Sequence, residues 1–264
     1  MLPDGRGGWV ELFLAVPSPN ADADRGSRAP APRTAGRPAL LIVHGHQFPE
    51  RPGGRDRLTP ALIERLTAKG WIAAAVSQPG YGNSTGPPDC CGPRTQVALR
   101  LALDHLVTRG ADPTRTVAWA ISRGAVAASC AFVDGATEPG VLILQSGTYD
   151  MERWVDWVRD GAPGGDAALA RAILANQEQE AGLDRDALRA RSGILHAARG
   201  SCDVLVVHGR SDPQAPSDDW ERMVAALRAA GRRVETAIVP DGEHRVPPSV
   251  TMGALTRHWP DLAP

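Results

Sequence analysis

The chain reads as an α/β protein with a mostly parallel sheet covered by helices on both faces. Short, wholly apolar runs such as Ala39–Val43, Trp71–Val76 and Val204–Val207 suit strands buried on both faces. Segments with helical spacing alternate with them, as in Leu58, Leu62 and Leu66. Third, the run Val117-Ala118-Trp119-Ala120-Ile121-Ser122-Arg123-Gly124-Ala125 takes an apolar strand through a serine into a small-residue helix. That last pattern is the sequence form of a nucleophile elbow, a strained strand-to-helix turn whose flanking positions must be small. The usual form is G-x-S-x-G; here Ala120 takes the first slot.

The elements follow in order. Trp9–Val16 is a first strand. Residues 17–38 are rich in Pro, Ala, Arg and Asp without periodicity, and read as a long mobile surface loop. Ala39–Val43 is a strand ending in His44-Gly45. Leu58–Lys69 is a helix with Gly70 as its stop. Trp71–Val76 is a strand, and Ser77–Pro93 is a Gly- and Pro-dense loop. Thr95–Leu106 is a helix, Val117–Ile121 the strand before the elbow, and Val141–Leu144 the next strand. Alternation then lapses. Two helical stretches, Met151–Val158 and Ala167–Glu180, mark residues 148–201 as a helical cap inserted between core segments 1–147 and 202–264. Val204–Val207, Asp218–Ala230, Val234–Val239 and Ser249–His258 complete the alternation as strand, helix, strand and helix.

Bulk properties narrow the function. A 264-residue chain with 42% hydrophobic residues can build one large core. A net charge of -1 argues against nucleic acid or a polybasic membrane contact. There is no signal-peptide pattern and no apolar run of membrane-spanning length, so a cytoplasmic location is expected. The four cysteines, Cys90, Cys91, Cys130 and Cys202, lack C-x-x-C spacing and read as free thiols.

A serine hydroxyl needs a base within hydrogen-bond reach and an acid to orient that base. Behind an elbow of this kind, the acid and then the histidine follow in chain order, each in a turn after a strand. Val204–Val207 leads into His208-Gly209-Arg210-Ser211-Asp212, and Ala237–Val239 leads into Pro240-Asp241-Gly242-Glu243-His244. The expected set is therefore Ser122 as nucleophile, His244 as base and then acid, and Asp212 as orienter. Asp150 and Asp241 are the rival acids. A developing oxyanion needs backbone donors. The N–H of Arg123 is one; that of His46 is the other, with Gln47 as alternative. A neutral imidazole base implies activity that rises with pH through the ordinary histidine range, about 6.5.

These segments, with Gln78-Pro79-Gly80-Tyr81-Gly82-Asn83-Ser84, resemble the α/β-hydrolase fold. They are most similar to the catalytic domains of prolyl oligopeptidases and dipeptidyl peptidases and to their single-domain esterase relatives. The resemblance spans residues 39–258. It departs at Ala120, and at Ala125 where the peptidases usually carry glycine. It implies a serine hydrolase that cleaves an ester or thioester through an acyl-enzyme, with a small acyl compound as partner and no cofactor or metal. Acyl transfer or cyclisation, a small peptidase, and a non-catalytic ligand-binding relative are the alternatives. A homodimer is compatible with it.

Other side chains have two readings each. Gln47, Tyr81, Cys91 and Tyr149 are expected near a substrate pocket. Trp154 and Trp157, three apart on one helical face, line that pocket or seal the cap onto the body. Arg123, Arg210 and Arg245 adjoin the proposed catalytic residues and read first as exposed or structurally ion-paired side chains. Glu152, Glu178 and Glu180 are acidic cap residues that could meet a peptide N-terminus. His44 and His208, each in a His-Gly strand end, read as buried histidines bonded to loop backbone.

Overall fold

The computed structural model describes residues 1–18, 36–47, 50–132 and 137–264. The predicted loop at 17–38 therefore lies largely outside the described residues. Two short strands, β1 (Leu2–Pro3) and β2 (Trp9–Val10), form an antiparallel pair. A seven-stranded sheet contains β3 (Leu12–Ala15), β4 (Arg37–Val43), β5 (Ile72–Val76), β6 (Ala111–Ile121), β7 (Val141–Gln145), β8 (Asp203–Gly209) and β9 (Val234–Val239). Its order is β3-β5-β4-β6-β7-β8-β9. Only the β3–β5 pairing is antiparallel. Helices α1 (Pro60–Ala68), α2 (Pro93–Thr108), α3 (Arg123–Ala131), α7 (Asp219–Ala229) and α8 (Pro248–His258) complete the α/β-hydrolase fold. Between β7 and β8 lie α4 (Met151–Arg159), α5 (Ala167–Ala181) and α6 (Arg185–Arg189).

The sheet separates two apolar clusters. Leu41, Val43, Ala74, Ala118, Ala120 and Val206 face one, with α2, α3 and α4 packed over them; Leu40, Ile42, Ala73, Val117, Ile143 and Leu205 face the other, with α1 and α8. Alternation along β4 into both clusters explains why its sequence is a continuous apolar run. Strand order reverses at β4, which has β5 on one side and β6 on the other. The C-terminal ends at such a point open into a crevice, where ligands bind in open α/β sheets. Val43 pairs with Ala120, so the turns after β4 and β6 lie side by side.

The first predicted strand is broken at Glu11. Its buried carboxylate accepts from the Ser77 hydroxyl (2.7 Å) and the Asn83 backbone N–H (3.1 Å), and pins the turn after β5. β6 runs longer than its apolar run: it begins at Ala111, six residues before Val117, through polar Asp112–Arg115. All four cysteines are buried, and none forms a disulfide among the described residues. No helix among the described residues is long and apolar enough to cross a membrane.

Candidate active site

Ser122 stands between β6 and α3 with φ 55° and ψ −123°, a combination costly for any residue with a side chain. Close packing holds it there. Its backbone N–H donates to the Gln145 carbonyl of β7 (2.7 Å), and the Ala125 N–H donates back to the Ser122 carbonyl (2.8 Å). A methyl group at Gly124 would fall 2.5 Å from the His44 carbonyl and 2.7 Å from that of Val43. Glycine is therefore required for α3 to start this close to the end of β4. Ala120 is fully buried in the apolar cluster, so its methyl has a place in the strand before the turn.

Three loops converge on the serine. His244, after β9, brings Nε2 to 2.9 Å from Ser122 Oγ. Its Nδ1 lies 2.8 Å from Asp212 Oδ2, in the turn after β8. The other carboxylate oxygen of Asp212 accepts from the Gln214 backbone N–H (2.9 Å), and the carboxylate is almost fully buried. With Asp212 accepting at Nδ1–H, Nε2 is left as the acceptor for the serine proton. Asp150 instead caps α4 and pairs with Arg222 (3.0 Å), while Asp241 sits in an exposed turn.

The third loop follows β4. A methyl placed on Gly45 would contact Ser122 Cβ at 3.0 Å and Oγ at 3.6 Å, so this backbone lies against the serine. His46 comes next. Arg123 occupies the first position of α3, where backbone N–H groups have no intrahelical acceptor. His44 fixes the loop: its Nδ1–H donates to the Gly45 carbonyl (2.7 Å) and its Nε2 accepts from the Gln78 N–H (3.1 Å). That uses both ring nitrogens in a neutral tautomer, and burial pushes the imidazole down to about 4. Gln47 spends its amide on Gly53, donating to the carbonyl (3.0 Å) and accepting from the N–H (2.8 Å). It shapes the loop rather than facing open space.

Several other expectations change in the structure. Tyr149 is wholly buried, donates its backbone N–H to Asp219 Oδ2 (2.8 Å), and belongs to the apolar core. Trp154 and Trp157 are buried in the same cluster, with indole N–H groups on the Gln214 (2.9 Å) and Pro163 (3.2 Å) carbonyls. Both seal α4 onto the body, because each has a structural acceptor and little surface left. Cys91 is buried beneath the elbow, its Sγ donating to the Arg123 carbonyl at 3.0 Å. Cys90 and Cys91 both have positive φ, 43° and 69°. His208 departs from its backbone-bonded reading: its Nε2 lies 3.5 Å from Asp212 Oδ2, its Nδ1 has no hydrogen-bond partner among the described residues, and burial lowers it to about 4.

Tyr81 does reach the site. Its hydroxyl lies 3.2 Å from His46 Nδ1 and 3.4 Å from Arg123 Nη1. Arg123 continues to α5, donating to Glu180 Oε2 (2.9 Å) and Asn176 Oδ1 (2.8 Å). Arg51 donates to the same carboxylate at 3.4 Å and lies over the Tyr81 ring. Arg210 and Arg245 are exposed. Arg51 and Asn176 were missed by sequence reasoning. Arg51 sits in a Pro- and Gly-rich segment without periodicity, and Asn176 is one polar residue on an amphipathic helix.

A nucleophile-type elbow, a buried Asp212 on a part-buried His244 that reaches the serine, and this sheet have the arrangement of a serine hydrolase of the α/β-hydrolase fold. The chain belongs to the prolyl oligopeptidase family, whose model matches residues 99–259. Three solved structures share its fold at low identity. A puromycin-hydrolysing peptidase of Mycobacterium tuberculosis is 21% identical at a TM-score of 0.65, with 97% of this chain and 36% of that chain covered. The Pyrococcus horikoshii acylaminoacyl peptidase is 16% identical at 0.63, over 93% and 36%. An acetyl xylan esterase from Paenibacillus sp. R4 is 16% identical at 0.65, over 96% and 79%. The chain thus spans little more than a third of the length of these peptidases, and most of the length of the esterase.

Proposed function

We propose that the protein hydrolyses a carboxylic ester or thioester through an acyl-enzyme on Ser122. The observation that carries this reading is the unbroken line Asp212 Oδ2–His244–Ser122 Oγ, with contacts of 2.8 and 2.9 Å. Ser122 Oγ attacks the carbonyl carbon as His244 Nε2 takes its proton. The negative charge that builds on the carbonyl oxygen is met by the backbone N–H groups of Arg123 and His46. His244 then protonates the leaving group, and water repeats the sequence to free the acid. Asp212 holds the imidazole in the productive tautomer and stabilises its charged form. The small-molecule acyl partner, the homodimer and the cytoplasmic location remain part of this proposal.

Two observations favour an ester over a peptide with a free amino terminus. Glu180 is already engaged by Arg123 and Arg51, and Glu152 by Arg185 (3.2 Å) and Arg189 (3.8 Å). These carboxylates are compensated rather than waiting for an ammonium group. Rates on short-chain 4-nitrophenyl esters and on aminoacyl 4-nitroanilides test the reading. Faster ester cleavage that Ser122→Ala abolishes supports it. Faster anilide cleavage by the same serine makes the protein a peptidase instead.

A further inference from the structure

The polar network over the elbow holds two guanidinium groups and one carboxylate. Arg123, directly after Ser122, donates to Glu180, as does Arg51 from the loop after β4. Their other side-chain partners, Asn176 and Tyr81, are neutral. His46 adds no charge of its own: burial, then Arg123 and Arg51, push its imidazole down to about 4. Tyr81 links both guanidiniums to His46, with its hydroxyl 3.2 Å from His46 Nδ1 and 3.4 Å from Arg123 Nη1 and its ring under Arg51; His46 follows Gly45, whose backbone lies against Ser122. Among the described residues, Glu180 is the one carboxylate hydrogen-bonded to the two guanidiniums.

Arg51 is the exposed end of this network. Its side chain is 31% exposed, against 8% for Arg123 and 5% for Glu180. Its only side-chain hydrogen bond among the described residues is the long 3.4 Å contact with Glu180. The Tyr81 ring, 5.3 Å from the guanidinium carbon, supports it on one side. A planar guanidinium with free N–H donors beside a reactive centre suits a carboxylate or phosphate group.

We propose that Arg51, backed by Arg123, forms an anion subsite beside Ser122, and that the preferred substrates are esters or thioesters bearing an anionic group a few atoms from the scissile carbonyl. This rests on Ser122 being the nucleophile.

Two matched pairs test it: mono-4-nitrophenyl glutarate against 4-nitrophenyl butyrate for the acyl side, and 4-acetoxybenzoate against its methyl ester for the leaving-group side. The expected result is an anionic-to-neutral ratio of kcat/KM of about ten or more in one pair, the scale of one charge-assisted hydrogen bond. Arg51→Gln is expected to bring that ratio towards one. Added salt is expected to lower it in the unaltered protein, which needs no folded variant. Ratios of one or below in both pairs, with neutral esters still cleaved, overturn the subsite alone. No cleavage of any ester, together with no labelling of Ser122 by a fluorophosphonate, overturns the subsite and the ester-hydrolase reading together.

Discussion

Arg123 and Glu180 form a nearly buried ion pair at 2.9 Å that ties the residue beside Ser122 to helix α5. Removing one partner of such a pair leaves a desolvated charge behind, which costs more than the pair itself contributes. Glu180→Ala should therefore destabilise the protein by about 3 kcal/mol. Glu180→Gln should cost less, because a neutral acceptor remains for Arg123. Urea unfolding of both variants checks the order.

Asp212 is expected to matter for rate more than for folding. Asp212→Asn keeps the shape but can present an N–H to His244 and favour the wrong tautomer. A loss in kcat of about 10⁴ is expected. Steady-state kinetics on an aryl ester, with circular dichroism to confirm the fold, measures it.

Gly124→Ala should damage the elbow. The added methyl meets two backbone carbonyls at 2.5 and 2.7 Å, and backbone cannot swing aside as a flexible side chain can. A destabilisation of about 1–3 kcal/mol is expected, with slower labelling of Ser122. Thermal unfolding and reaction rate with a fluorophosphonate read the two effects.

Stability should fall on acidification below about pH 6.5. His44 and His208 stay neutral in the folded protein down to about 4, whereas an unfolded histidine takes up its proton near 6.5. Between those values the unfolded state binds more protons at both sites, so stability rises with pH. Asp219 opposes this. Burial raises its carboxyl to about 7, so the folded state holds a proton that the unfolded state loses near 4. Three lowered histidines, His46 included, against one aspartate leave the unfolded state as the net proton binder across pH 4–6.5, so stability rises with pH there. Asp219→Asn should steepen the slope and raise stability at neutral pH, since it removes the cost of ionising a buried carboxyl while keeping an acceptor for Tyr149. Denaturant midpoints across pH 4–8 test the sign.

The architecture was legible where burial leaves a strong trace. Parallel strands enclosed on both faces are uniformly apolar, as in Ala39–Val43 and Ile72–Val76, and the turns after them carry Ser122, Asp212 and His244 in the order an elbow demands. Edges were less legible. Arg37 pairs with Ala111 and Ala39 with Thr116, so β6 extends across a register shift that skips the polar Asp112–Arg115, which periodicity cannot flag. Glu11 interrupts an apolar strand because its carboxylate serves a distant turn, a contact without a local signature. The pocket reading failed at Trp154 and Trp157 because large aromatics on one helical face look alike whether they meet a ligand or the core. Arg51 left no trace, since its partners lie in the turn after β5 and in a helix 129 residues away.

The central claim is that Ser122 is a nucleophile activated by His244. The most direct measurement is the intact mass after treatment with a fluorophosphonate. The account predicts one added phosphonyl group, located at Ser122 by peptide mapping and absent in Ser122→Ala and, on the same timescale, in His244→Ala. A folded protein whose mass is unchanged, or one labelled at another residue, would contradict it.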